Sequence, residues 1–190
     1  MSMIARLSLS QYDRMIEHGV FDQGSRQRLE FIRGEIREMA PIGSQHEEVV
    51  DRLTSWSARV LPEATVRLRV QNSLGLREVE SAPEPDIVWV VQRDYTQARP
   101  TSADVLLVVE VASSSLAYDT GEKADLYAAA GIGDYWVVDL ENNLVEVRRD
   151  PVAGRYRSMQ TYSGEDEIGP LKLPEAALRP VMLFARSKGD

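Results

Sequence analysis

Two unbroken apolar runs, Ile87-Val88-Trp89-Val90-Val91 and Val105-Leu106-Leu107-Val108-Val109, constrain this chain more than any other feature. Both are rich in β-branched side chains and lack the polar alternation of a half-solvated strand. Such runs are stable as central strands covered on both faces. A chain that carries two of them needs helices above and below one sheet.

The flanking segments supply that cover. Val49, Val50, Leu53, Trp56 and Val60 recur at helical spacing behind Ser44-Gln45-His46-Glu47, which has the form of a capping box. The pattern predicts a helix over about residues 45–61, closed by Pro62. Asp119, with Glu122 three residues on, reads as the N-cap of a second helix that Gly131 stops after three alanines. Thr65–Val70 alternates as a half-buried strand, and Tyr135–Leu140 returns as a strand after the second helix. Glu141-Asn142-Asn143 then turns the chain into Leu144–Val147, and Arg155–Tyr162 adds a further strand. A strand–helix–strand crossover makes the pair that it joins parallel.

Ahead of this core, Ser10 reads as the N-cap of a short helix over Gln11–His18, and Arg28–Arg33 with Glu35–Met39 reads as a hairpin about Gly34. The expected fold is therefore α/β. It has a mixed central β-sheet flanked by helices, in the order helix-strand-strand-strand-helix-strand, with an N-terminal helix and hairpin. Neither a repeat nor a long linker interrupts the 190 residues, which predicts a single domain over 1–190.

Composition narrows the chemistry. The chain has no cysteine and only two histidines, His18 and His46, so thiol nucleophiles, thiolate zinc sites and all-histidine metal cages are excluded. Its 22 basic residues against 30 acidic ones give a net charge of −8, which argues against high-affinity coating of nucleic acid but not against a local basic groove. The longest apolar runs fall far short of the roughly 20 residues that span a bilayer, and Met1–Arg6 lacks the apolar core of a secretory signal. The expectation is a cytoplasmic protein without a membrane partner.

Three residues break their local pattern, and such breaks concentrate at functional sites. Glu110 ends the second apolar run and is followed by Val111, so it is either a strand-end carboxylate emerging into water or one that needs a partner. Asp86 stands just before the first run, after Glu84-Pro85; alone it could equally be a turn residue. If the two strands are antiparallel, however, Asp86 and Glu110 converge at one sheet edge, as two hard oxygen donors suited to Mg²⁺ or Mn²⁺. Lys123 shares a helix face with Tyr127 and Ala130, and it either reaches that carboxylate pair or snorkels to solvent. His46 points inward in line with Val50 and Leu53, as a core residue or as part of the site. Glu47 is accounted for as the capping acid, and Glu35 and Glu38 on the hairpin read as solvated. No G-x-S-x-G elbow surrounds Ser113-Ser114-Ser115, and neither a Walker loop nor an H-E-x-x-H helix occurs.

Taken together, Pro85-Asp86, Glu110-Val111-Ala112 and Asp119…Lys123…Tyr127…Gly131…Tyr135-Trp136…Asp139 resemble the Uma-two family of restriction-endonuclease-like proteins. The upstream stretch Leu29-Glu30…Gly34-Glu35…Pro41…His46 is similar to that family's opening, so the likeness covers about residues 8–165. The resemblance implies the PD-(D/E)XK nuclease fold, in which an aspartate and a glutamate hold a divalent metal while a lysine positions or activates the attacking water. On that likeness Asp86 and Glu110 are metal ligands, with the Val111 carbonyl as a third, and His46 lines the site. The chain departs from the common pattern at Ala112, where the lysine usually stands; Lys123 is placed to fill the role from the helix.

The implied activity is Mg²⁺- or Mn²⁺-dependent phosphodiester hydrolysis, with DNA as substrate and a homodimer as a unit able to cut both strands. Arg67, Arg69, Arg93 and Arg99 are candidates to line a DNA groove, although Arg67 and Arg69 fit a solvated strand face equally well. Two other readings remain open: a nuclease-fold binding or regulatory module without useful turnover, which Ala112 and the acidic charge favour, and a metal-dependent hydrolase of another phosphoester.

Overall fold

A computed structural model of the protein describes residues 5–21 and 28–184. Six strands form one mixed sheet in the order β3-β4-β5-β6-β7-β8: β3 (Val66–Val70), β4 (Ile87–Val91), β5 (Val105–Ala112), β6 (Asp134–Asp139), β7 (Leu144–Val152) and β8 (Arg155–Ser163). β5 and β6 are parallel, as the crossover predicts, and β4 and β5 are antiparallel, which meets the condition for Asp86 and Glu110 to converge. The last two strands extend beyond their expected ends and continue the sheet as an antiparallel hairpin.

Strand periodicity divides the core into two layers. On one face, Ile87, Trp89, Leu107, Val109, Val111, Trp136 and Val138 pack against α2 (Ser44–Val60) through Val49, Val50, Leu53 and Trp56. On the other face, Val88, Val90, Val108, Ala112, Tyr135 and Val137 meet Ala124, Tyr127 and Ala130 from the crossover helix. Glu110 lies between Val108 and Ala112 in the alternation, so it belongs to this second face.

The crossover helix differs from the expected one. It opens four residues earlier, with Ser115 in the cap position, as α3 (Leu116–Tyr118), widens into a π turn over Asp119–Lys123 and continues as α4 (Ala124–Ala129). Asp119 is therefore not an N-cap but an internal, buried residue, and Glu122 pairs with Arg37 at 2.9 Å instead of closing a capping box. Two other caps are also displaced. Gly43 precedes α2 without a side-chain cap, and Ser8, not Ser10, caps α1 (Leu9–Glu17) through a reciprocal pair with Gln11.

α1 fixes the hairpin of β1 (Leu29–Ile32) and β2 (Glu35–Glu38), with Tyr12 stacked on Phe31 at 4.6 Å between ring centroids. Phe31 and Ala82 exchange backbone hydrogen bonds, which tie the hairpin to the loop that leads into β4. The two-residue turn has positive φ at both Arg33 (49°) and Gly34 (82°), the geometry that matches strand twist. A Cβ at Gly34 would lie 2.8 Å from Arg6 Cβ and 2.9 Å from the Leu7 carbonyl oxygen. Gly34→Ala is accordingly expected to lower stability by more than about 1 kcal/mol, read as a lower denaturant midpoint. An unchanged midpoint would mean that this turn relaxes without cost.

Candidate active site

The register of β4 against β5 pairs Ile87 with Val109, which carries Asp86 to the end of β5 where Glu110 and Val111 stand. There the Val111 N–H donates to Asp86 Oδ2 at 2.9 Å. His46, in the first turn of α2, places Nε2 3.1 Å from the same oxygen, and Gln71 Nε2 donates to Oδ1 at 3.1 Å. Burial works against the charge on Asp86, but the contacts with His46, the Val111 N–H and Gln71 prevail and hold its carboxyl below the usual aspartate range.

Glu110 is held from the crossover helix. The Lys123 ammonium donates to Glu110 Oε1 at 3.1 Å, and the Tyr127 hydroxyl donates to the same oxygen at 2.8 Å. The π turn gathers the remaining groups, a use to which such widened turns are often put. Lys123 Nζ lies 3.5 Å from Glu30 Oε2 and 3.9 Å from Asp119 Oδ1, with only 5% of its side chain exposed. Burial disfavours the ammonium, but Glu110, Glu30 and Asp119 outweigh that penalty and raise its pKa above that of an ordinary lysine. Glu110 moves the other way relative to its charge: burial pushes it up to about 8, against the pull of Lys123 and with the help of Asp119 and Asp86.

All of these groups except Gln71 and Tyr127 line one cleft of about 280 Å³. Asp86, Glu110, Val111, Lys123 and His46, all singled out in the sequence, come together there. The four arginines do not line it. Arg67 bonds Gln92, Arg69 lies over the Tyr95 ring, Arg93 pairs with Asp104, and Arg99 bonds Ser73 and Asp13.

Sequence reasoning missed Glu30, Gln71 and Tyr118 as parts of the site. Glu30 alternates with Leu29 and Phe31, which reads as solvent-facing; instead it is buried, with Oε1 accepting from the Tyr118 hydroxyl at 3.0 Å and Oε2 lacking a hydrogen-bond partner. Glu35, read as solvated, is part-buried against Arg37 at 2.9 Å. Asp139 has a turn-forming role, accepting from the Glu141 and Asn142 N–H groups.

The donor set suits a hard divalent cation. Among the described residues, five carboxylates, Glu30, Glu38, Asp86, Glu110 and Asp119, line the cleft with the two cationic side chains Arg28 and Lys123. Glu110 Oε2 has no hydrogen-bond partner among the described residues. No group of three or more histidine, aspartate or glutamate side chains among those residues forms a ready cage for an ion. Mg²⁺ does not require one, because it keeps several waters and takes one or two carboxylates.

Comparison with known proteins bears on the family and the fold. The model of a family described as "Uma2: Putative restriction endonuclease" matches residues 9–180. The fold is similar to that of a solved structure described as "a putative nuclease belonging to DUF820 from Anabaena variabilis ATCC 29413". The TM-score is 0.71 over 94% of this chain and 98% of that one, at 14% identity. No curated protein matches the chain. Among the described residues no helix is long and apolar enough to cross a membrane.

Proposed function

The chain belongs to the Uma2 family, and on that premise we propose that it is a divalent-metal-dependent endonuclease that hydrolyses phosphodiester bonds in DNA. The observation that carries this reading is the meeting of Asp86, Glu110 and Lys123, from the entry to β4, from β5 and from the crossover helix, in one cleft beside His46. Asp86 and Glu110, with the Val111 carbonyl, would hold Mg²⁺ or Mn²⁺. The chemistry such a cation supplies when bound is activation of water and withdrawal of charge from the scissile phosphoryl group.

The protein's own groups have separable tasks. His46 and the Val111 N–H fix the Asp86 carboxylate, while Tyr127 fixes that of Glu110. Lys123 stays protonated, so it serves as a donor and not as a proton acceptor. One of its N–H groups is committed to Glu110, whereas Glu30 and Asp119 at 3.5 and 3.9 Å are beyond good hydrogen-bond range. The other two N–H groups are thus available to orient the attacking water or to stabilise developing negative charge. Ala112 is fully buried against the crossover helix, and the amine arrives from that helix instead. This supports turnover over a binding-only module. Cutting both strands calls for two such sites, which makes a pair of chains the expected working unit.

The test is a cleavage panel over supercoiled, linear and single-stranded DNA, RNA and nucleotides, with Mg²⁺ or Mn²⁺ and with chelator. Cation-dependent DNA cleavage that chelator abolishes is expected. Calorimetric titration should show Asp86→Asn weakening cation affinity by at least about tenfold. Cleavage that persists in chelator would sink the metal-dependent reading, and turnover confined to nucleotides would move the protein to another class of phosphoesterase.

A further inference from the structure

An acidic cleft that receives a polyanion has to offer some counter-charge besides a cation held by its carboxylates. Of the two cationic side chains that line this cleft among the described residues, Lys123 is bonded to Glu110, has Glu30 and Asp119 within 4 Å, and is nearly fully buried. Arg28, at the entry to β1, is different. Its Nη2 is buried and pairs with Glu84 at 3.6 Å, longer than a good hydrogen bond. The arginines expected to meet DNA are, by contrast, engaged elsewhere, Arg93 by Asp104 and Arg99 by Asp13. About a third of the Arg28 side chain is open to solvent at the cleft wall. The exposed Ser113 and Ser114, which leave the end of β5 just after the carboxylate of Glu110, line the same cleft.

We propose that Arg28, assisted by the Ser113 and Ser114 hydroxyls, forms a phosphate-binding subsite that holds a backbone phosphate of the nucleic-acid substrate at the cleft. A guanidinium offers five N–H donors in a planar fork that matches two phosphate oxygens at once, and the long pairing with Glu84 leaves most of the Arg28 fork for such a group. The serine hydroxyls can donate to the same group or to a water on it. The subsite rests on the nuclease reading of the cleft. It adds to that reading a residue that binds substrate without touching the cation.

The experiment measures binding of a fluorescent DNA oligonucleotide to the full chain by anisotropy over a range of salt concentrations, with cation binding followed separately by calorimetry. Arg28→Ala is expected to weaken DNA binding about tenfold and to reduce the slope of log K against log salt by about 1, leaving Mn²⁺ affinity unchanged. Arg28→Lys, which keeps the charge but loses the fork, should retain the slope and recover part of the affinity. In cleavage, Arg28→Ala should raise KM with kcat little altered. Wild-type DNA binding that Arg28→Ala leaves unaltered in strength and slope would overturn the subsite while the nuclease reading stands. Loss of Mn²⁺ binding or of folding in both variants would overturn it too, showing Arg28 to be structural. A wild-type chain that binds Mn²⁺ but no nucleic acid would remove the nuclease reading and the subsite with it.

Discussion

Lys123→Met is expected to slow cleavage about 100- to 1000-fold and to cost the fold about 3–5 kcal/mol, measured by single-turnover kinetics and chemical denaturation. Both effects come from one amine. Lys123 is 4% exposed and is the positive charge on which Glu110, Glu30 and Asp119 converge. Methionine keeps the length and apolar stem, so the loss reports charge and donor rather than packing. Three carboxylates without it must share a poorly solvated space, and each must protonate, repel its neighbours or draw in a cation. Saturating Mg²⁺ should therefore restore part of the variant's stability by binding the native state, more than it adds to the wild type. Lys123→Arg keeps the charge in a wider planar head, and should recover stability better than rate. A methionine variant with wild-type stability and rate would show that the amine does neither task.

Trp89→Ala is expected to cost about 3–5 kcal/mol, enough to leave much of the chain unfolded near its working temperature. Trp89 is fully buried in the middle of β4, its ring centroid 4.8 Å from that of Trp56 on α2. Its indole N–H donates to Ser57 Oγ at 2.9 Å, so truncation also leaves a buried hydroxyl without that partner. The change should lower the denaturant midpoint with m unaltered. Because Trp89 faces α2 while Glu110 faces the crossover helix, the molecules that remain folded should bind cation as the wild type does. A drop in cation affinity as large as the drop in stability would show that the two layers are not independent.

The central strands and both core-facing helices were legible because burial on two faces writes itself into composition at short range. Ile87–Val91 and Val105–Val109 could not be anything exposed, and α2 declared its inner face through Val49, Val50, Leu53 and Trp56. Asp86, Glu110, Lys123 and His46 were legible for the opposite reason, as polar groups where apolar ones belong. Helix starts were not. Ser8 and Ser10 are equally good caps, and only the pairing with Gln11 selects the first. Asp119 has the local chemistry of a cap, and what makes it an internal residue is an ammonium supplied by its own π turn. Glu30 was hidden because its strand is short and alternating; the Tyr118 hydroxyl and Lys123, which cover it, arrive from about ninety residues away. Long-range cover of this kind leaves no periodic trace.

The widened turn at Asp119–Lys123 holds one residue more than a regular helix would need there. Excising a single residue within it, such as Gly121 where open space surrounds the backbone, would let the segment rewind into ordinary α-helix. The amine and Asp119 would then stand three residues apart instead of four, still on one helix face but without the extra residue that the wide turn carries, so their heights and angles toward Glu110 would change although every strand stayed in place. The winding of one turn of backbone is thus set by chain length rather than by side-chain identity, and in this segment an indel acts on the site before it acts on the fold.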